Sequence, residues 1–130
     1  MRLGYLVCKN NAVHTKIAGQ LPEWNLSCFA QEAGCICAEQ AEFIVKTKNY
    51  IEKERQFMAK GLMQLGLRTF PSVSNFITIY SDKPLYEKLL KKGILIRDCS
   101  NFRGLGKGFY RIAVKSRKEN EILFKALESL

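Results

Sequence analysis

Residues 96–114 read I-R-D-C-S-N-F-R-G-L-G-K-G-F-Y-R-I-A-V, two short apolar runs that each carry an arginine, Arg97 and Arg111, joined by a glycine-rich loop. Aromatic and β-branched residues predict a strand over 109–114, and a second strand is expected over 94–97. Alternation along the later strand sets Tyr110, Ile112 and Val114 on one side and Phe109, Arg111 and Ala113 on the other, so Arg111 need not enter an apolar core. A guanidinium presents a planar fork of donors that matches carboxylate or phosphate oxygens two at a time. Two of them near one cleft therefore suit a small ligand with two anionic groups. A strand arginine equally suits ordinary pairing with a neighbouring strand, and Asp98 stands beside Arg97 as a possible ion-pair partner.

Downstream, Ser116-Arg117-Lys118-Glu119 has the spacing of a capping box and opens a helix carrying Ile122, Leu123, Ala126, Leu127 and Leu130. Upstream, Pro84 suits a first helical turn, and Leu85, Leu89 and Leu90 continue that helix to Gly93. Before it, residues 76–80 have the content of a strand, and Pro71 and Asn75 bracket a turn. The order from Phe76 onward is strand, helix, strand, strand, helix. Ile44, Ile51, Met58 and Leu65 recur at intervals of seven, with Phe43 and Leu62 adding to the same side, which predicts a long helix over 41–65 closed by Gly66. Lys46, Lys48, Lys53, Glu54 and Lys60 are expected on its solvated face. Residues 3–7 read as a short buried strand ending at the Asn10-Asn11 turn signal. A polar loop around Gly19, Pro22 and Trp24 leads to a helix whose buried face holds Leu26, Phe29, Ala30, Ala33 and Cys37. The sum is an α+β sheet covered by helices and preceded by a long helical arm.

A chain of 130 residues fits one domain, and 47% hydrophobic with 25% charged residues is ordinary globular composition. No apolar run approaches the roughly 20 residues of a membrane span, and polar Lys9, Asn10 and Asn11 interrupt any leader, so a cytoplasmic protein with no membrane partner is expected. The net charge of +9 favours anionic partners without choosing among them. Cys8, Cys28, Cys35, Cys37 and Cys99 form an odd set without a C-x-x-C spacing, and His14 is the one histidine. Reduced, buried thiols are expected, with no metal site.

The run R-D-C-S-N-F-R-G-L-G-K-G-F-Y-R-I-A-V, followed by K-x-R-x-E-N-E-x-L, resembles the C-terminal domain of fold-type I pyridoxal-phosphate enzymes of the class I and II aminotransferase family. The branch it resembles most holds threonine-phosphate decarboxylase and histidinol-phosphate aminotransferase. Three more segments agree in order: Met1-Arg2-Leu3-Gly4-Tyr5, Trp24-Asn25-Leu26-Ser27 ahead of Ala30-Gln31, and Pro71-Ser72-Val73-Ser74-Asn75-Phe76. The resemblance covers essentially the whole chain. It implies the small domain of that fold, a short and mostly antiparallel sheet covered by helices after a long helix. Residues 39–130 would form that small domain, and residues 1–38 a remnant of the large-domain edge with the interdomain segment.

Carried over residue by residue, the resemblance implies that Arg2, in R-L-G-Y, binds the phosphate of pyridoxal 5′-phosphate. Arg111 would hold the substrate α-carboxylate and Arg97 its distal phosphate, while Arg103 and Lys107 are read as loop charge. The family's Schiff-base lysine lies a few residues before R-L-G-Y, so this chain is expected to lack it, to contribute no catalytic residue and to be inactive alone. The implied substrate is a small phosphorylated amino acid, and the implied full-length enzyme is a homodimer. The C-S-N-F-R-G-L-G loop favours the decarboxylase, which serves cobalamin biosynthesis, over the aminotransferase of histidine biosynthesis. A non-catalytic module of another class is the remaining alternative. Lys107-Gly108-Phe109 resembles the opening of an RNA-recognition motif, but Tyr110 and Arg111 then break that pattern, so no nucleic-acid partner is expected. A scaffolding module on the same fold would not need Arg97 and Arg111 to converge.

Overall fold

A computed structural model describes residues 3–130, which fall into two compact units, the first ending at Ile44 and the second Val45–Leu130. The elements in order are α1 (Asn11–Ala18), α2 (Cys28–Ala38), α3 (Ala41–Gln64), β1 (Arg68–Thr69), β2 (Phe76–Tyr80), α4 (Leu85–Leu90), β3 (Arg97–Asp98), β4 (Phe109–Ala113) and α5 (Arg117–Glu128).

In the second unit the four strands form one antiparallel sheet in the order β1-β2-β4-β3. The central pair is in the register Ile77↔Ile112, Thr78↔Arg111, Ile79↔Tyr110. Because strand side chains alternate, Ile77, Ile79, Tyr110 and Ile112 share one face. That face packs on Met58 and Leu62 of α3, Leu85 and Leu89 of α4, and Leu123 and Leu127 of α5, all buried. Each such Leu or Ile contributes about 1.5–3 kcal/mol on leaving water, which makes this face the core. The opposite face carries Phe76, Thr78, Tyr80, Phe109 and Arg111.

Helix ends account for the short connections. Gly66 and Gly93 both take positive φ (75° and 74°) and close α3 and α4 with paired bonds, Leu67 N–H to Leu62 O at 3.0 Å and Ile94 N–H to Leu89 O at 3.0 Å. At α5 the capping box is complete: Ser116 Oγ accepts from Glu119 N–H at 3.4 Å, and Glu119 Oε2 accepts from Ser116 N–H at 3.2 Å.

Several expectations are corrected. The strand expected over 94–97 is only Arg97–Asp98, because Ile94 N–H is consumed in closing α4 and residues 95–96 must carry the chain across to β4. Glu54 is not on a solvated face. It is 3% exposed, and Arg117 donates to both its oxygens, Nη2 to Oε1 at 2.9 Å and Nε to Oε2 at 3.0 Å. Asn120 Nδ2 adds a bond to Oε2 at 3.1 Å, so the burial leaves no unpaired charge. The pair β1–β2 was not anticipated, since two residues are too few to show a pattern.

In the first unit, residues 3–7 form no strand and Tyr5 is 92% exposed; among the described residues no segment offers them a ladder. Asn10 is a helix cap rather than a turn residue, its Oδ1 accepting from Val13 N–H at 3.2 Å to start the unforeseen α1. Helix α2 forms, but Ala30 is its one buried residue and Phe29 is 77% exposed. The cysteines are free thiols, yet only Cys99 is buried, whereas Cys28, Cys35 and Cys37 on α2 are exposed.

A groove lined by two opposed arginines

Strand register brings Arg97 and Arg111 together. They are direct cross-strand partners on β3 and β4, and Thr78 of β2 is the next residue in the same row. All three therefore project from the face turned away from the core. Both arginines line an open groove of about 970 Å³, with Asn75, Phe76, Tyr86, Asp98 and Asn101 around them. Like charges directly opposite on adjacent strands are unfavourable, so a sheet that keeps them there gains nothing from the pair by itself.

Among the described residues no carboxylate comes within ion-pair distance of either guanidinium. Asp98 is not the partner of Arg97. It lines the same groove, but its register partner is Tyr110 and its Oδ1 accepts from Ser100 N–H at 2.8 Å to start the loop. The arginines are held by neutral groups instead. Arg97 Nη2 donates to Asn101 Oδ1 at 3.2 Å, and its guanidinium lies 5.3 Å from the centre of the Phe102 ring. The Arg111 guanidinium lies 4.4 Å from the Phe76 ring and 5.9 Å from the same Phe102 ring. These contacts orient the guanidiniums without neutralising them, which leaves their charge available to a ligand.

The loop between the strands is pinned at both ends. Cys99 N–H donates to Phe109 O at 2.9 Å, and Gly108 O accepts from Ser81 N–H at 2.9 Å. Gly108 has φ of 89°, and a Cβ there would stand 2.8 Å from Ser81 O, so close approach and conformation both demand glycine. Burial pushes the Cys99 thiol above its ordinary pKa, against the pull of Arg111 and Arg97, so it stays protonated and is no nucleophile.

Of the residues singled out from sequence, Arg97 and Arg111 meet in the groove, Arg103 and Lys107 are exposed in the loop and do not line it, and Arg2 lies outside the described residues. The reading of sequence passed over Asn101, Phe102, Phe76 and Tyr86. Phe76 joins the Arg111 face only through the β2–β4 register, which the sequence does not show, and Phe102, in a loop, carried no periodic signal.

The sequence profile for aminotransferase class I and II matches residues 1–127. The chain belongs to that family. It is 38% identical over its whole length to a putative threonine-phosphate decarboxylase of Caldanaerobacter subterraneus subsp. tengcongensis, covering 36% of that protein. To the threonine-phosphate decarboxylase of Salmonella typhimurium it is 31% identical, again over all of this chain and 37% of the relative. The crystal structure of histidinol-phosphate aminotransferase from Clostridium acetobutylicum superposes with a TM-score of 0.85 at 33% identity, over 92% of this chain and 38% of that one. The chain thus spans a little over a third of the length of the curated relatives it matches.

The fold is the small α+β domain of fold-type I aminotransferases, and enzymes of this family use pyridoxal phosphate. The groove offers two guanidiniums with amide, hydroxyl and aromatic groups and the single carboxylate of Asp98, and no lysine lines it, so it suits anionic groups of a small molecule and not a Schiff base.

Proposed function

We propose that this chain is the substrate-gripping C-terminal part of a pyridoxal-phosphate enzyme that acts on a small phosphorylated amino acid, with O-phospho-threonine decarboxylation as the favoured reaction. Arg111 grips the α-carboxylate, Arg97 the distal phosphate, and Arg2 the cofactor's phosphate. The observation that carries this reading is the arginine pair itself: two guanidiniums in one groove, opposed across a ladder and, among the described residues, ion-paired to no carboxylate. An always-charged, unneutralised pair suits a ligand that brings two anionic groups, and each bidentate contact fixes direction as well as affinity.

Holding a substrate at both ends fixes which bond at its α-carbon stands perpendicular to the cofactor ring. The cofactor, when bound, withdraws electrons from that bond. Arginines that set the carboxylate bond upright favour loss of carbon dioxide; a tilt that sets the hydrogen upright favours transamination. The likeness to two threonine-phosphate decarboxylases supports the first outcome. The second reading, histidinol-phosphate aminotransfer, draws on the 0.85 TM-score to such an enzyme. The full-length enzyme is proposed to be a cytoplasmic homodimer, as the family resemblance implies, and decarboxylation would place it in cobalamin biosynthesis.

The test uses the polypeptide in which this segment occurs in the cell, purified with pyridoxal phosphate. Offered O-phospho-L-threonine, it should release carbon dioxide. Transfer of the amino group from histidinol phosphate to 2-oxoglutarate, without carbon dioxide release, would overturn the decarboxylase assignment in favour of the second reading.

A further inference from the structure

Phe102 is an aromatic residue that core packing does not explain. It is 36% exposed, stands in a glycine-rich loop and takes no part in the buried cluster. Yet its backbone is fixed, its N–H donating to Cys99 O at 2.9 Å and its O accepting from Leu105 N–H at 3.0 Å, between the buried Cys99 and the sterically required Gly108. Its ring lies within cation–π distance of both guanidiniums, 5.3 Å from that of Arg97 and 5.9 Å from that of Arg111. Next to it, Asn101 Oδ1 takes one donor of Arg97.

We propose that Phe102 is a positioning residue, an uncharged brace that holds Arg97 and Arg111 convergent in the groove before any anion arrives. The proposal rests on the reading of the pair as an anion clamp and adds what keeps the clamp set. Two cations on facing ladder positions repel, and long flexible side chains relieve that repulsion by swinging apart into solvent. A carboxylate between them would hold them but would also occupy the donors a substrate needs. The negative face of an aromatic ring attracts both cations and takes no hydrogen bond from either. Asn101 completes the arrangement as a weak neutral acceptor. An anionic oxygen displaces it readily, because a hydrogen bond to a charged acceptor is roughly twice as strong as one to a neutral acceptor. With the arginines already ordered, less conformational freedom is lost on binding, which is the ordinary route by which preorganisation raises affinity.

The experiment compares the 130-residue chain with its Phe102→Ala, Phe102→Leu and Phe102→Tyr variants, using backbone amide spectra to verify an intact fold. Arginine Nε–Hε resonances of Arg97 and Arg111 are followed by relaxation without ligand, then during titration with O-phospho-L-threonine and, separately, with inorganic phosphate. The brace predicts ordered Nε sites in the parent chain and in Phe102→Tyr, and mobile ones in Phe102→Ala and Phe102→Leu. Leucine fills space but lacks the ring face. Binding of O-phospho-L-threonine should weaken roughly 5- to 30-fold in the Ala and Leu variants, the range of two modest cation–π contacts. Unchanged arginine order in both Phe102→Ala and Phe102→Leu would overturn the proposal. Order that depends on Phe102 in a parent chain that binds neither anion would support the brace while removing the proposed substrate.

Discussion

At the scale of single residues, the site depends on which way each side chain leaves its strand. Alternation placed Arg111 away from the apolar side of β4, and that much was legible in the sequence, because a period of two is local information. The partnership with Arg97 was not, since register is set by the ladder between β3 and β4. Adjacency in sequence was even misleading for Asp98, which neighbours Arg97 and lines the same groove but makes no ion pair with it, its carboxylate accepting from Ser100 N–H instead. Arg111→Lys keeps the charge and removes the planar fork, so binding of O-phospho-L-threonine should fall roughly 10- to 100-fold by titration calorimetry, the value of one charge-assisted bond, with melting temperature little changed. Gly108→Ala acts on the loop. Its positive φ and the 2.8 Å approach to Ser81 O leave no room for a methyl group, and chemical denaturation should show a loss of about 1–3 kcal/mol.

At the scale of elements, long periodic segments could be read and short ones could not. Helix α3, expected over 41–65, is Ala41–Gln64, because its apolar stripe recurs over more than six turns. β1 and β3, with two residues each, have no period to read. Glu54 shows a subtler limit. It falls at the three-and-four spacing shared by Ile51 and Met58, so geometry places it inward, but its charge argued for solvent. The resolution lies 63 positions away in Arg117, whose guanidinium also stacks 3.6 Å from the Phe57 ring. That network ties α3 to the start of α5. Glu54→Ala leaves Asn120 and Arg117 without their shared acceptor and should cost about 2–4 kcal/mol of stability in urea.

The same network sets a pH dependence. The hydrogen bonds from Arg117, outweighing the opposing effect of burial, hold the Glu54 carboxyl below its usual range, and Lys115 with Ser116 hold Glu119 down to about 2. Both pKa values are depressed on folding. Their stabilisation is therefore present above the unfolded carboxyl pKa of about 4.3 and is lost as pH falls through the folded values. The denaturation midpoint should be flat from pH 7 to about 5 and decline toward pH 2, and the decline should be shallower in Glu54→Gln. An equally steep decline in that variant would remove Glu54 from the account.

At the scale of the molecule, charge and composition indicated an anionic partner without identifying it, and the family likeness is what motivates the proposed phosphorylated amino acid. Thiol burial was the expectation that fared worst, since cysteines are commonly buried but α2 exposes three of them. A thiol reagent should accordingly modify Cys28, Cys35 and Cys37 in the folded chain, and leave Cys99 unmodified until denaturant is added; mass mapping after a short pulse checks this. The central claim is that Arg97 and Arg111 divide a doubly anionic ligand between them. The most direct measurement is the binding of O-phospho-L-threonine and of unphosphorylated L-threonine to the parent chain, Arg97→Gln and Arg111→Gln, by titration. The account predicts that Arg97→Gln abolishes the preference for the phosphorylated ligand, while Arg111→Gln weakens both ligands by a similar factor. Equal binding of the two ligands by the parent chain, or a preference that survives Arg97→Gln, would contradict it.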